Sequence, residues 1–323
     1  MNIAFFGAPS FASEVLQKIV QDMSKELSIA LIITQPDAPV GKKKKLTPTP
    51  VKVLANSLNI EVFDTELTKN THALLIQKLQ EKKIELALLF AFGKIIPQSI
   101  LDTPKYGFWN IHPSLLPLYR GPAPITFPLV LGDFQTGVTL MQMDAGMDHG
   151  PIIEQASYEI GSNEQHEDLE NKLSLIGFEL FSSAYKELQN SGSTISQPQF
   201  HDVSTYTRIC TKQDGYIPIE IITKALNGED DELYQPEIVQ DFIKKNQSIS
   251  PPQLLLQDKI FNLYRGLHGW PGIWTKIIVN GEKKRLKILL MAKDNNTLSL
   301  KKVQLEGKNP VDFDTFNTAY KIW

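Results

Sequence analysis

Short apolar runs alternate with amphipathic stretches through the first half of the chain. Residues 2–6 (Asn-Ile-Ala-Phe-Phe) make a brief buried-type strand that Gly7 closes. Ser10 is placed to cap a helix running to about Val20. Residues 27–34 predict a second strand, and an amphipathic helix closes over residues 78–83. The run Ile-Glu-Leu-Ala-Leu-Leu-Phe-Ala-Phe at 84–92 predicts the clearest core strand. Strand–helix–strand spacing of this kind predicts an α/β fold with a doubly wound, mostly parallel, Rossmann-like sheet. Further on, 108–111 ends a strand, 122–131 suits a helix, and 137–143 and 152–160 suit strands. Ser162 and Gln165 have capping-box spacing, and Leu169, Leu173, Ile176, Leu180, Ala184 and Leu188 track one face of a long helix.

Beyond residue 190 the pattern changes. Ser, Gly and polar residues fill 190–199 and mark the end of a domain. A helix is predicted over 234–246 and a turn at Trp270-Pro271-Gly272. Apolar runs at 275–279 and 284–291 flank Asn280-Gly281, a strong hairpin signal. A strand at 297–304 and a closing helix at 311–321 complete a pattern suited to a small, OB-like β-barrel. The expected organisation is a catalytic domain over 1–190, a linker over 191–210 and a C-terminal domain over 211–323.

Composition adds bounds. At 323 residues, 42% hydrophobic and 21% charged, the chain has material for two ordinary globular cores. The net charge of −3 hides an asymmetry. Residues 257–323 carry 12 Lys and Arg against 6 Asp and Glu, whereas 214–256 carry 3 against 8 and form an acidic insert. A basic C-terminal third fits a polyanionic partner, and equally a lysine-rich solvated sheet. Cys210 is the only cysteine, so no internal disulfide can form. No apolar run nears the ~18 residues of a membrane span. The chain starts directly in a strand, without a basic stretch and cleavage site, so a cytoplasmic enzyme is the expectation; a monomer is expected as well.

The candidate chemistry centres on Trp-Asn-Ile-His-Pro-Ser-Leu-Leu-Pro-Leu-Tyr-Arg-Gly at 109–121. On a strand, Asn110 and His112 point the same way. An amide beside an imidazole can stabilise an oxyanion and move a proton. An ordinary strand end with a satisfied core histidine fits the pair equally well. Pro113 and Pro117 stiffen the exit into a lip. Residues 144–150, Asp-Ala-Gly-Met-Asp-His-Gly, hold two carboxylates and a second imidazole. Asp148 is the candidate partner of His112, Asp144 a turn residue or a ligand contact, and His149 structural or a support behind the site residues. No ligand pair has a recognised metal spacing, so no metal is expected. The first turn, Gly-Ala-Pro-Ser-Phe-Ala, lacks the three glycines of a dinucleotide site and argues against an NAD-type cofactor. Phe90, Phe92, Gly93 and Ile95 follow the buried strand, where a flat heteroaromatic ring could lie, or where core residues cap a helix start. The loop 35–50 contains four prolines and Lys42, Lys43, Lys44 and Lys45. It suits an extended finger against a phosphate backbone, or a solvated loop.

Asn-Ile-His-Pro-Ser-Leu-Leu-Pro-Leu-Tyr-Arg-Gly at 110–121, followed by Gly-Val-Thr-Leu-Met-Gln-Met-Asp-Ala-Gly-Met-Asp-His-Gly at 137–150, resembles the formyltransferase family that uses 10-formyltetrahydrofolate. The segment 34–52 and the endings Arg-Leu-Lys-Ile-Leu at 285–289 and Val-Gln-Leu-Glu-Gly-Lys-Asn-Pro at 303–310 resemble its branch whose acceptor is initiator methionyl-tRNA. The resemblance implies a catalytic trio of Asn110, His112 and Asp148, and a folate site bordered by Ser114, Leu115, Leu116 and Pro117. It implies 10-formyltetrahydrofolate as formyl donor and tRNA as partner, with a role in translation initiation. A formyltransferase acting on a sugar nucleotide or glycinamide ribonucleotide, and a non-enzymatic RNA-binding protein, are the alternatives.

Overall fold

A computed structural model describes residues 1–41, 43–247, 249–250, 252–294 and 297–323. In chain order it contains β1 (Asn2–Phe6), α1 (Ser10–Asp22), β2 (Ser28–Ile33), β3 (Ala38–Val40), β4 (Lys45–Thr47), α2 (Pro50–Ser57) and β5 (Val62–Phe63). Then come α3 (Lys69–Glu81), β6 (Leu86–Leu89), α4 (Gln98–Leu101), β7 (Phe108–His112), α5 (Thr126–Leu131), β8 (Gln135–Gln142), β9 (Ile152–Glu159) and α6 (His166–Ser191). The remainder holds α7 (Ile219–Leu226), α8 (Glu237–Lys245), α9 (Leu256–Gly266), β10 (Ile273–Val279), β11 (Glu282–Asp294), β12 (Thr297–Leu305), β13 (Val311–Asp312) and α10 (Phe313–Tyr320). Two compact units result: Met1–Gly121, Gly137–Tyr158 and Glu170–Ser204 form the first; Pro122–Thr136, Glu159–Leu169 and Thr205–Trp323 form the second.

The first unit is built on a seven-stranded sheet of order β5-β2-β1-β6-β7-β8-β9. Pairings from β5 through β7 are parallel, and β7 with β8 is antiparallel. The doubly wound, mostly parallel sheet expected from the strand spacing is therefore present. Its continuous apolar strands follow from burial on both faces. One core cluster joins Ala4, Phe6, Leu31, Ala87 and Leu89 to Leu75 and Leu79 of α3. Phe6 meets Phe92 edge-on at 5.5 Å and Phe108 at 5.0 Å between ring centroids.

Several boundaries differ from expectation for local reasons. The core strand stops at Leu89, because Ala91 and Gly93 turn left-handed (φ 51° and 72°) and swing the chain out of the sheet. Pro9, not Ser10, is the cap position of α1, and no side chain caps it. The loop 35–50 is not merely extended: β3 and β4 pair as a hairpin, and Pro50 opens α2. Thr49 Oγ1 caps that helix by accepting from the Lys52 amide at 3.1 Å. Residues 122–125 stay outside α5, where Pro122 and Pro124 lack amide donors. Before α6, carboxylates take the capping role expected of Ser162 and Gln165: Glu164 accepts from the Gly161 amide and Asp168 from the Gln165 amide.

The second unit carries a four-stranded antiparallel sheet of order β10-β11-β12-β13, consistent with the small barrel-like domain expected. Asn280 and Gly281 adopt φ 52° and 79°, as a type I′ turn demands. Ile277, Val279, Leu286, Val303 and Leu305 of the sheet form one core with Phe316 of α10. Carboxylates of the acidic stretch are engaged locally. Asp214 accepts from both Arg208 amino groups, Asp231 pairs with Lys224, and Asp230 accepts from the Leu256 amide. His166, in the first turn of α6, is half-buried; burial, with the charge of His268, pushes its imidazole down to about 4.

Candidate active site

Strand β7 lies inside the sheet between β6 and β8, and all five of its residues are buried. Asn110 and His112 sit two residues apart and are 6% and 4% exposed. The loop after β8 brings Asp148 to both. Its Oδ1 lies 3.4 Å from Asn110 Nδ2 and 3.5 Å from His112 Nδ1. Its Oδ2 accepts from the Gly121 amide at 2.7 Å. The carboxylate is thus anchored by one oxygen and faces the amide and imidazole with the other. Asp148 itself is left-handed, φ 48°. That conformation is uncommon for residues with side chains and is best tolerated by Asp and Asn.

The imidazole is oriented from the other side. His112 Nε2 lies 3.1 Å from the Tyr119 carbonyl oxygen. A carbonyl only accepts, so Nε2 carries the hydrogen in this bond. Nδ1 is then the nitrogen turned towards Asp148 and available to exchange a proton. Tyr119 is also left-handed, φ 60°, and that turn aims its carbonyl.

The lip after His112 is fastened through Thr139, a fully buried residue of β8 paired in register with His112. The Thr139 hydroxyl donates to the Ser114 carbonyl at 2.7 Å and accepts from the Leu116 amide at 3.0 Å and Gln155 Nε2 at 2.7 Å. Gln155 also donates to the Leu116 carbonyl, and Ser114 Oγ to the Leu118 carbonyl. The Leu116–Pro117 peptide is cis.

Of the residues expected to border a ligand, Ser114 and Leu116 are buried and braced within the lip, while Leu115 and Pro117 keep surface. Phe90 and Phe92 are 1% and 2% exposed, enclosed against Phe11 and Phe6. Packing claims those rings, which leaves backbone atoms, Gly93 and the 81% exposed Ile95 to face solvent at this strand end. Asp144 holds its own loop together, accepting from the Gly146 amide at 2.8 Å and lying 2.7 Å from His149 Nδ1. His149 stacks on His201 at 4.0 Å. Desolvation, with His149 and Arg120 beside it, holds the His201 imidazole below its ordinary value.

Lys43, Lys44 and Lys45 project from the β3–β4 hairpin and are exposed; Lys42 lies outside the described residues. No ion pair of these three lysines occurs among the described residues. Val40 and Leu46 beside them are 56% and 64% exposed. Among the described residues, no group of three or more His, Cys, Asp or Glu is arranged to hold a metal ion. No helix there is long and apolar enough to cross a membrane.

Two residues given no role in the sequence reading stand behind Asp148. Arg120 is fully buried, and Gln199, in the stretch read as linker, is 5% exposed. Gln199 Oε1 accepts from Arg120 Nε and Nη2 at 3.1 and 2.6 Å. Its Nε2 donates to the carbonyls of Asp148 and Gly150 at 3.0 and 2.7 Å.

At the carboxyl-end rim of a doubly wound sheet, an amide, an imidazole and a carboxylate therefore converge, the kinds of group that acyl-transfer chemistry employs. Residues 1–184 match a family model described as formyl transferase. A methionyl-tRNA formyltransferase of Caldicellulosiruptor saccharolyticus is 34% identical over 345 aligned positions, covering 100% of this chain and 98% of the relative. Among solved structures, a phosphoribosylglycinamide formyltransferase from Bacillus halodurans aligns at TM-score 0.52 and 25% identity, covering 60% of this chain and 97% of that one. An N-formyltransferase from Helicobacter canadensis, in complex with folinic acid and dTDP-3-aminofucose, aligns at TM-score 0.58 and 18% identity, covering 90% of this chain and 88% of that one. The chain belongs to the formyl transferase family and, along its whole length, to the methionyl-tRNA formyltransferases within it.

Proposed function

We propose that this protein transfers a formyl group from 10-formyltetrahydrofolate to the free α-amino group of methionine on initiator tRNA. It would act as a cytoplasmic monomer, and its product would serve translation initiation. The observation that carries the reading is the meeting of Asn110, His112 and Asp148 around one carboxylate oxygen, within a chain that aligns end to end with methionyl-tRNA formyltransferases.

The bound folate supplies a formyl carbonyl as electrophile. Asn110 Nδ2 is placed to donate to the formyl oxygen as negative charge collects there, and one such donor is worth roughly a hundredfold in rate. As the amine nitrogen bonds to the formyl carbon and the bond from that carbon to folate N10 breaks, His112, with Nε2 held by Tyr119, uses Nδ1 to take the proton the amine loses and return it to N10. Asp148 keeps that ring facing the site and relays the proton between the imidazole and water, so that tetrahydrofolate leaves with N10 protonated. An α-amino group of pKa about 8 is partly neutral at working pH, so little deprotonation is required. The fit to a folate rests on this strand end: a left-handed Ala91 and Gly93, a glycine with open surface, and the partly exposed Leu115 and Pro117. Phe90, Phe92, Gly93, Ile95, Ser114, Leu115, Leu116, Pro117 and Asp144 would border the folate, with Phe90, Phe92, Ser114 and Leu116 contributing backbone. Lys43, Lys44 and Lys45 would contact the tRNA backbone, as would Lys42 by its place in the run. Residues 1–190 would form the catalytic domain, 191–210 the linker and 211–323 the tRNA-binding domain.

Purified protein, labelled formyl-folate and charged initiator tRNA form the test. Label appearing on the methionine supports the proposal. Transfer only to a small amine, or tRNA binding without transfer, overturns it.

A further inference from the structure

Residues 119–121 act as a hub. The Tyr119 carbonyl orients His112, the Gly121 amide holds Asp148 Oδ2, and the Arg120 side chain grips Gln199. Gln199 closes the circuit, because its Nε2 bridges the carbonyls of Asp148 and Gly150 while its Oε1 holds Arg120. The hub therefore reaches Asp148 twice, once at its carboxylate and once at its backbone.

We infer that Gln199 is a positioning residue for Asp148, holding that carboxylate over Asn110 and His112 through a side-chain bridge to the buried Arg120. Three observations carry this. Asp148 is left-handed, a conformation that persists only when its surroundings over-determine it. The two carbonyls that Gln199 grips flank His149, so the grip spans the turn that presents the carboxylate. Both bridge residues are buried, and Arg120 Nη2 also donates to His201 Nδ1 at 2.9 Å, which fixes the guanidinium plane. A glutamine suits the position because it donates and accepts at one end; a glutamate would set a negative charge against two carbonyls.

The inference rests on the proposed formyl transfer for its kinetic readout, and a second readout is independent of it. In the full-length protein, Gln199→Met keeps the side-chain length and removes the four hydrogen bonds. Its kcat falls by roughly tenfold to a hundredfold, as misplacement of a reacting group requires, while KM for both substrates stays near wild type. The Gly121 amide, which donates to Asp148 Oδ2, loses hydrogen-exchange protection by roughly tenfold, while β1 amides keep theirs. If Gln199→Met fails to fold, Gln199→Asn, which retains both polar ends but is too short to span, is read the same way. Unchanged Gly121 exchange in the folded variant overturns the inference, as does a lowered Tm with wild-type kcat. If the wild-type protein transfers no formyl to methionyl-tRNA, the functional reading falls, and Gly121 exchange alone still decides the role of Gln199.

Discussion

The lip after β7 and the hairpin after β2 both leave the carboxyl end of a parallel strand, and both contain prolines. They are otherwise opposites. Along the lip, Ser114, Leu116, Tyr119 and Arg120 are 0–8% exposed, and Thr139, Gln155 and Gln199 tie it down. On the hairpin every strand residue is exposed, and Lys43, Lys44 and Lys45 make no ion pair among the described residues. Proline therefore does not tell a braced loop from a free one; the hydrogen bonds around it do. The difference matches what the proposed function asks of each region. Stabilising an oxyanion needs donors held to within a fraction of an ångström. Attracting a polyanion needs charge within a Debye length, about 8–10 Å at ordinary salt, and tolerates loose geometry.

Substitutions can break or sharpen that contrast. The largest effect is expected at the strand the lip continues. Asn110→Ala and His112→Ala each lower turnover by at least about a hundredfold while folate binding survives, measured by formylation rate and by equilibrium binding of a formyl-folate analogue. Next is Gly137→Ala. A Cβ there would lie 2.2 Å from the Ala156 carbonyl oxygen and 2.6 Å from Leu115 Cδ2. Backbone cannot retreat cheaply, so urea unfolding should show a loss of about 1–3 kcal/mol, with reduced turnover as Leu115 shifts.

The hairpin changes should be milder and of another kind. Neutralising Lys43, Lys44 and Lys45 to glutamine should flatten the log–log salt dependence of tRNA binding by about 2 and leave kcat at saturating tRNA unchanged. A loss of kcat as large as that of Asn110→Ala would end the contrast. Smallest is Gly41→Ala. Gly41 is left-handed, φ 72°, with no atom within 4 Å of the place a methyl group would take. The cost is therefore conformational alone, about 1 kcal/mol by urea unfolding, with the formylation rate unchanged.

Much of the fold is readable from short-range pattern. The apolar runs that become β1, β2 and β6 and the apolar face of α6 follow the periods of strand and helix. Asn280-Gly281 names its own turn, because few other pairs accept two positive φ values. Less readable is the pairing of β3 with β4, three-residue strands with no buried face and hence no alternation. The enclosure of Phe90 and Phe92 is also invisible locally, since an aromatic residue at a strand end looks the same whether it meets a ligand or the core. Arg120 and Gln199 are 79 residues apart, and a glutamine in a Ser-rich polar stretch carries no mark of burial.

The sequence by itself determined the chemistry on offer: an amide and an imidazole in strand register, a carboxylate in a glycine-flexed loop, and a run of lysines between prolines. It determined the class of fold as well, because periodicity is written into neighbouring residues. Only the tertiary structure decided that one oxygen of Asp148 reaches both Asn110 and His112, that Tyr119 turns the ring, and that Gln199 grips the turn behind it. Those placements depend on where distant segments come to rest, and a difference of one ångström, which no local pattern encodes, separates contact from its absence.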